Sequence, residues 1–227
     1  MEFQEFRKIP RLSRDMVITE KIDGTNGQIA IFSYNTLLSA FQFNISGNLC
    51  TEVEEFNMKH CLCQKNNLYL FVGSKSRWLD TSSKGDNFGF AKWVQSNAEE
   101  LLKLGEGRHF GEWYGKGIQR NYGLEEKRFA LFNVGKWVNE FDSSRTIEND
   151  KQKFCPHCCE VVPILYQGMF DTDMIGNTLM TLKEYGSRAV PGYMNPEGAI
   201  IFHSASGQLF KKTLENDEKP KGVKNDS

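Results

Sequence analysis

Apolar and polar positions along the chain fall into short strand-like runs interrupted by two helical stretches. Met16-Val17-Ile18 and Gln28-Ile29-Ala30-Ile31-Phe32 flank the Asp23-Gly24 dipeptide, a pattern that predicts a two-stranded hairpin with Lys21 at a strand end. Asn67–Gly73 predicts a strand that delivers Ser74-Lys75-Ser76-Arg77 into the following loop. Phe90, Ala91, Val94, Ala98, Leu101 and Leu102 recur at helical spacing, so a packing helix is expected over Asn87–Leu104, capped by Asp86 and closed by Gly105. His109–Tyr114 and Lys127–Val134 read as aromatic strands joined by a Gly-rich polar loop. Glu160–Leu165 reads as a short strand whose Pro163 marks an edge or an end. A second helix is expected over Met174–Tyr185, and Gly198–His203 with Gln208–Thr213 form a hairpin turning through Ser204–Gly207. Segments 44–64 and 139–159 have weak periodicity and read as insertions in one domain spanning 1–213, and 214–227 reads as a mobile tail.

Composition narrows the class. With 227 residues, 39% hydrophobic and 12% aromatic, the chain can bury a sizeable aromatic-rich core. The opening Met1–Lys8 carries both charge signs and no apolar run approaches the roughly 20 residues of a membrane span, so a soluble cytoplasmic protein is expected, in the host cytoplasm if the source is viral. A net charge of -1 excludes a protein that coats nucleic acid through a general positive field, and any polyanion must meet a local patch. The six cysteines are expected as thiols or ligands in a reducing compartment.

Taken alone, Lys21-Ile22-Asp23-Gly24 reads as a turn beside a solvated lysine. Charged residues at other strand ends change that: Arg77 after a strand, Glu112 inside an aromatic one, Glu197 before Gly198, and Lys211 with Lys212 in the last. Phe132 alone would be a core ring, and Arg77 and Glu197 alone would be surface charges.

Together these residues resemble the nucleotidyltransferase domain of covalent polynucleotide ligases, most closely ATP-dependent RNA ligases of the RNA ligase 2 and editing-ligase type. Glu20-Lys21-Ile22-Asp23-Gly24-Thr25-Asn26 matches that family's Lys-x-(Asp/His)-Gly-x-Asn motif, and Asn26 tilts the likeness toward RNA rather than DNA. Ser74–Arg77, Phe110-Gly111-Glu112, Phe129–Val134, Glu197–Ile201 and Phe210–Thr213 resemble the later motifs in family order.

The resemblance implies an α+β fold of two packed, mostly antiparallel sheets with flanking helices, ATP-grasp-like, here without the C-terminal oligonucleotide-binding (OB) barrel because 14 residues remain after Thr213. It implies Lys21 as the nucleophile that takes AMP from ATP, with Lys211 or Lys212 assisting, and Mg²⁺ or Mn²⁺ held at Glu197. It gives nucleotide contacts to Glu20, Asn26, Arg77, Glu112 (ribose hydroxyls), Phe132 (stacking on adenine) and Glu197. The family's final motif carries Lys-x-Lys, whereas Lys211 and Lys212 are adjacent and point to opposite faces of a strand; Lys211 is favoured, with Lys212 as fallback.

The implied activity is RNA joining through lysine-AMP and an adenylylated 5′ end, with RNA repair as its setting. The alternatives are a minimal DNA ligase, an end-adenylylating enzyme, and a non-catalytic nucleic-acid or zinc module. Partners are RNA ends, nicked or single-stranded, met around Lys116, Arg120 and Lys127, no membrane, and a separate RNA-binding protein; the chain is expected as a monomer. Cys155-Pro156-His157-Cys158 with His60–Cys63 could form two zinc half-sites, but incidental thiols are the favoured reading and structural zinc is not expected.

Overall fold

The computed structural model describes residues 3–42, 49–140, 147 and 149–218. In chain order the strands and helices begin with β1 (Asp15–Lys21), β2 (Thr25–Ser33), α1 (Tyr34–Gln42), α2 (Leu49–His60), β3 (Cys61–Lys65) and β4 (Leu68–Gly73). They continue with α3 (Phe90–Ser96), α4 (Ala98–Leu101), β5 (Gly107–Gly115), β6 (Lys127–Leu131), β7 (Trp137–Val138), β8 (Lys153–Phe154) and β9 (Glu160–Val161). The last are β10 (Ile164–Met169), α5 (Thr172–Tyr185), β11 (Gly198–His203) and β12 (Gln208–Thr213). The class is α+β, with two large, mostly antiparallel sheets. The chain packs as two units, one of 1–22 with 162–227 and one of 23–161.

The first unit is built on a four-stranded antiparallel sheet in the order β10-β1-β11-β12. Period-2 alternation sends Met16 and Ile18 of β1 and Ala199 and Ile201 of β11 to one face, where Met174, Ile175 and Leu179 of α5 cover them. Asp171 caps α5: its side chain accepts from the Asp173 N–H. The 198–213 hairpin forms as the pattern predicts. The tail begins in order, since the Leu214 N–H bonds Glu197 O at 2.9 Å and Asp217 bonds Thr213 N at 2.8 Å; 219–227 lie outside the described residues.

The second unit carries a six-stranded sheet, β3-β4-β2-β5-β6-β9, antiparallel except for β6–β9. One face buries Ile29, Ile31, Val72, Trp113 and Phe129 against Phe90, Ala91, Val94 and Leu101 of the short helices. The opposite face buries Ala30 and Phe71 under Leu37 of α1 and Val53 of α2. Segment 44–64, expected as an insertion, therefore supplies a core helix and an edge strand over its described part, with 43–48 outside the described residues. In segment 139–159, Cys155 and Cys159 join the main core, and 141–146 and 148 lie outside the described residues.

Three expectations differ for identifiable reasons. The 87–104 helix divides at Asn97 into α3, α4 and a 3₁₀ turn, and α3 begins after Gly89 at φ 82°. Asp86 still serves the start, its Oδ1 accepting from the N–H groups of Asn87 and Ala91 at 2.7 Å each. The 160–165 strand is two strands in different sheets, separated at Val162-Pro163 because proline gives no ladder N–H.

The largest difference concerns the opening hairpin. β1 pairs with β10 and β11, whereas β2 pairs with β4 and β5, so Ile22–Gly24 carries the chain from one sheet to the other. Gly24 is required for close approach: a Cβ there would lie 2.4 Å from Trp113 O.

Candidate active site

The lysine of the motif sits in the first unit. Lys21 ends β1 opposite Gly198, which brings it to the residue before that glycine: Lys21 Nζ lies 2.5 Å from Glu197 Oε2. Both side chains are largely enclosed, 17% and 8% exposed, so the ion pair is shielded more than a surface pair. Gly198 has φ 154°, and a Cβ there would come within 2.2 Å of Lys212 O, so glycine lets β12 close on the strand that presents Glu197.

Register decides the two final lysines. Thr19, Ile200 and Lys211 are mutual neighbours, as are Lys21, Gly198 and Thr213, and all six share one face of the sheet. Lys212 opposes Ala199 on the other face and pairs with Asp217 at 2.8 Å, a hydrogen bond that raises its pKa. Lys211 therefore shares a face with Lys21, and Thr213 lies on that face too.

Glu20, expected at the nucleotide, points to the α5 face and is 1% exposed. Its Oε1 accepts from Ser187 Oγ at 2.5 Å and its Oε2 from the N–H groups of Arg188 and Ala189 at 2.7 and 2.9 Å. Burial raises its pKa against the opposing pull of these bonds. This carboxylate latches β1 to the segment after α5; the sequence did not reveal that role because Ser187 is 167 positions away.

The second unit holds the rest of the motif. Asn26 and Glu112 are register partners on β2 and β5, and Asn26 Nδ2 donates to Glu112 Oε2 at 3.0 Å while Gly24 N donates to Oε1 at 3.0 Å. The glutamate thus braces the motif with both oxygens. On the same face Phe110 is 51% exposed and Phe132, just past β6, is 40% exposed, with Phe132 N bonded to Phe110 O. Phe110 went unassigned in the sequence because an exposed strand ring and a core ring read alike.

One residue, Tyr122, carried no signal in the sequence, and another, Arg120, has a different contact from the one expected. The loop after β5 puts the buried Tyr122 at φ 54°, a strained region for an aromatic residue, and its hydroxyl accepts from Asp23 N at 2.8 Å. Arg120 Nε lies 3.2 Å from Asp23 Oδ2. Arg120 thus braces the motif, Lys116 pairs with Glu125 at 2.9 Å, and Lys127 donates to Phe88 O at 2.6 Å. Arg77 is exposed, its guanidinium donating to Gly85 O at 2.8 Å.

Among the described residues no group of three or more His, Cys, Asp or Glu side chains is arranged to hold a metal ion, and no helix is long and apolar enough to cross a membrane. A Mg²⁺-type ion needs only one or two protein carboxylates when phosphates and water complete its shell.

No curated protein sequence matches the chain. Solved structures similar to it include a mutant of Naegleria gruberi RNA ligase with ATP and Mn, at 15% identity, TM-score 0.49, covering 89% of this chain and 50% of that one. Another mutant of that ligase, with AMP and Mn, gives the same figures. The ligase with PPi gives 14% identity and TM-score 0.46, covering 88% and 50%. The chain spans about half the length of these structures, at 50% of each. The family profile described as RNA ligase matches residues 14–213, and on that match the chain belongs to the RNA ligase family.

Proposed function

We propose that this protein is an ATP-dependent RNA ligase that works through a lysine-AMP intermediate on Lys21. The observation that carries the reading is the enclosed 2.5 Å pair of Lys21 and Glu197 at the strand end, with Lys211 on the same face, in a chain of the RNA ligase family.

Attack on the α-phosphorus of ATP needs the lysine lone pair, whereas free lysine is protonated at neutral pH. Glu197 is the group within reach of the Nζ proton, and Lys211, on the same face of the sheet, offers a cation to the phosphates. The N–P bond forms, pyrophosphate leaves, and AMP then passes to an RNA 5′-phosphate; a 3′-hydroxyl displaces AMP to seal the strand. A divalent cation at Glu197, when bound, supplies neutralisation of phosphate charge. Phe110 and Phe132 offer exposed rings for an adenine to stack on, and Arg77 offers a guanidinium to ribose or phosphate. Glu112, held in place by Asn26, is the carboxylate assigned to the ribose hydroxyls.

The test is incubation with α-labelled ATP and Mg²⁺ or Mn²⁺. Acid-stable label on the wild type and none on Lys21→Ala supports the reading; no label, or equal label on both, overturns it. Sealing of nicks that differ only in the 2′-hydroxyl at the 3′ end then distinguishes RNA from DNA ligation.

A further inference from the structure

A basic cavity lies at the opposite end of β1 from Lys21, within the first unit. It has a volume of ≈ 510 Å³ and is lined by Lys8, Ile9, Pro10, Arg11, Arg14 and Ala205, three cations with no acidic residue in the wall. Among the described residues no carboxylate pairs with Lys8, Arg11 or Arg14. We propose that this cavity is a docking site for the phosphate backbone of the RNA strand whose end reacts at Lys21.

Charge distribution supports it. Residues 3–14 contain four basic side chains and one acidic, a net of +3 in a chain whose total is -1. The other 215 residues therefore sum to -4, and a polyanion approaching this protein is drawn to the N-terminal segment rather than to the surface at large. Two of the three cations are arginines, whose planar forks match phosphate oxygens. Phe3 and Phe6, earlier in the same segment, are 93% and 84% exposed, rings of the kind on which unpaired bases stack.

The end of the segment next to β1 is also fixed in place. His203, buried at the end of β11, bonds Leu12 O through Nε2 at 2.7 Å, Phe170 N donates to Arg14 O at 2.8 Å, and Ser204 N donates to Asp15 O at 2.9 Å. Arg11 and Arg14 thus flank a backbone pinned to the sheet. From Asp15 to Lys21 the strand advances about 20 Å at ~3.3 Å per residue, which is about six nucleotides of stacked strand at ~3.4 Å each. The cavity is placed to hold a strand several nucleotides from its reacting end. This inference rests on the RNA ligase reading above.

The experiment measures binding of fluorescent 5′-phosphorylated RNA oligonucleotides of 3 and 12 nucleotides across a salt series, with wild type and the Lys8→Gln/Arg11→Gln/Arg14→Gln variant. At about 0.7 per phosphate contact on single strands, the variant is expected to lose about 2 from the log–log salt slope and roughly tenfold in affinity for the 12-mer, with little change for the 3-mer. Circular dichroism and self-adenylylation are expected to match wild type. Equal affinity and slope for the two proteins overturn the proposal, as does displacement of the 12-mer by polyglutamate as readily as by unlabelled RNA, which would assign the cavity to acidic polypeptides. A wild type that takes no label from ATP yet shows the variant-dependent slope would remove the ligase reading while leaving the phosphate site in place.

Discussion

Glu20 offers a sharp test of how the lysine is held. Replacing it with alanine removes a carboxylate that accepts from Ser187 Oγ, Arg188 N and Ala189 N at 2.5, 2.7 and 2.9 Å, and leaves those donors without it in a site where the side chain is 1% exposed. Hydrogen bonds to a charged group contribute about 1.5–3 kcal/mol each in mutational series, but they are not additive and burial of the carboxylate works against them. A net loss of about 3–5 kcal/mol for Glu20→Ala follows. At about 2–4 °C per kcal/mol for a chain of this size, the melting transition of the first unit is expected to fall by about 10 °C by calorimetry.

Glu20→Gln separates hydrogen bonding from charge. Its carbonyl can take both backbone N–H groups while its amide donates to Ser187 Oγ, so the loss is expected at about 1–2 kcal/mol. The pH dependence carries a sign. Burial raises the folded pKa of Glu20 above its unfolded value, so the native state binds the extra proton in that window. Stability contributed by this group therefore falls as pH rises from the ordinary carboxylate range through the raised folded value, and Glu20→Gln flattens that slope. A melting shift below 2 °C for Glu20→Ala, or equal losses for alanine and glutamine, would refute the latch.

Three other outcomes are expected. Lys211→Ala lowers the rate of AMP labelling by tenfold or more, about 1.4 kcal/mol, while Lys212→Ala stays within about threefold; single-turnover assays compare them. Asn26→Asp sets a carboxylate against Glu112 in place of the 3.0 Å amide donor, so the variant melts lower than wild type at pH 7.5 and recovers part of the difference at pH 5, where one of the pair is protonated. Iodoacetamide modifies Cys158 before Cys155 at pH 8, as followed by peptide mass, because the Cys159 hydrogen bond lowers the Cys158 pKa while burial pushes Cys155 up to about 11.

Much of the local structure was legible in the sequence. Short apolar and aromatic runs located β4, β5, β6 and the β11–β12 hairpin, and helix-boundary residues located α5 within a few residues. The 87–104 stripe gave the buried face correctly but not the break at Asn97, since a stripe records which residues are buried and not whether the backbone between them stays helical.

The sequence by itself determined which chemistry is present: one lysine at a strand end, a glutamate before a glycine, and the ordered motifs that identify the family. Only tertiary structure decided what each group touches. Asp23-Gly24 looked like a hairpin turn because local turn chemistry and close approach to another strand both select glycine. Glu20 looked like a ligand of the nucleotide, yet its partners come from 167 to 169 positions away. Lys211 and Lys212 were told apart by the pairing of β12 with β11, because a strand's own alternation fixes that neighbours point apart but not which one shares a face with Lys21.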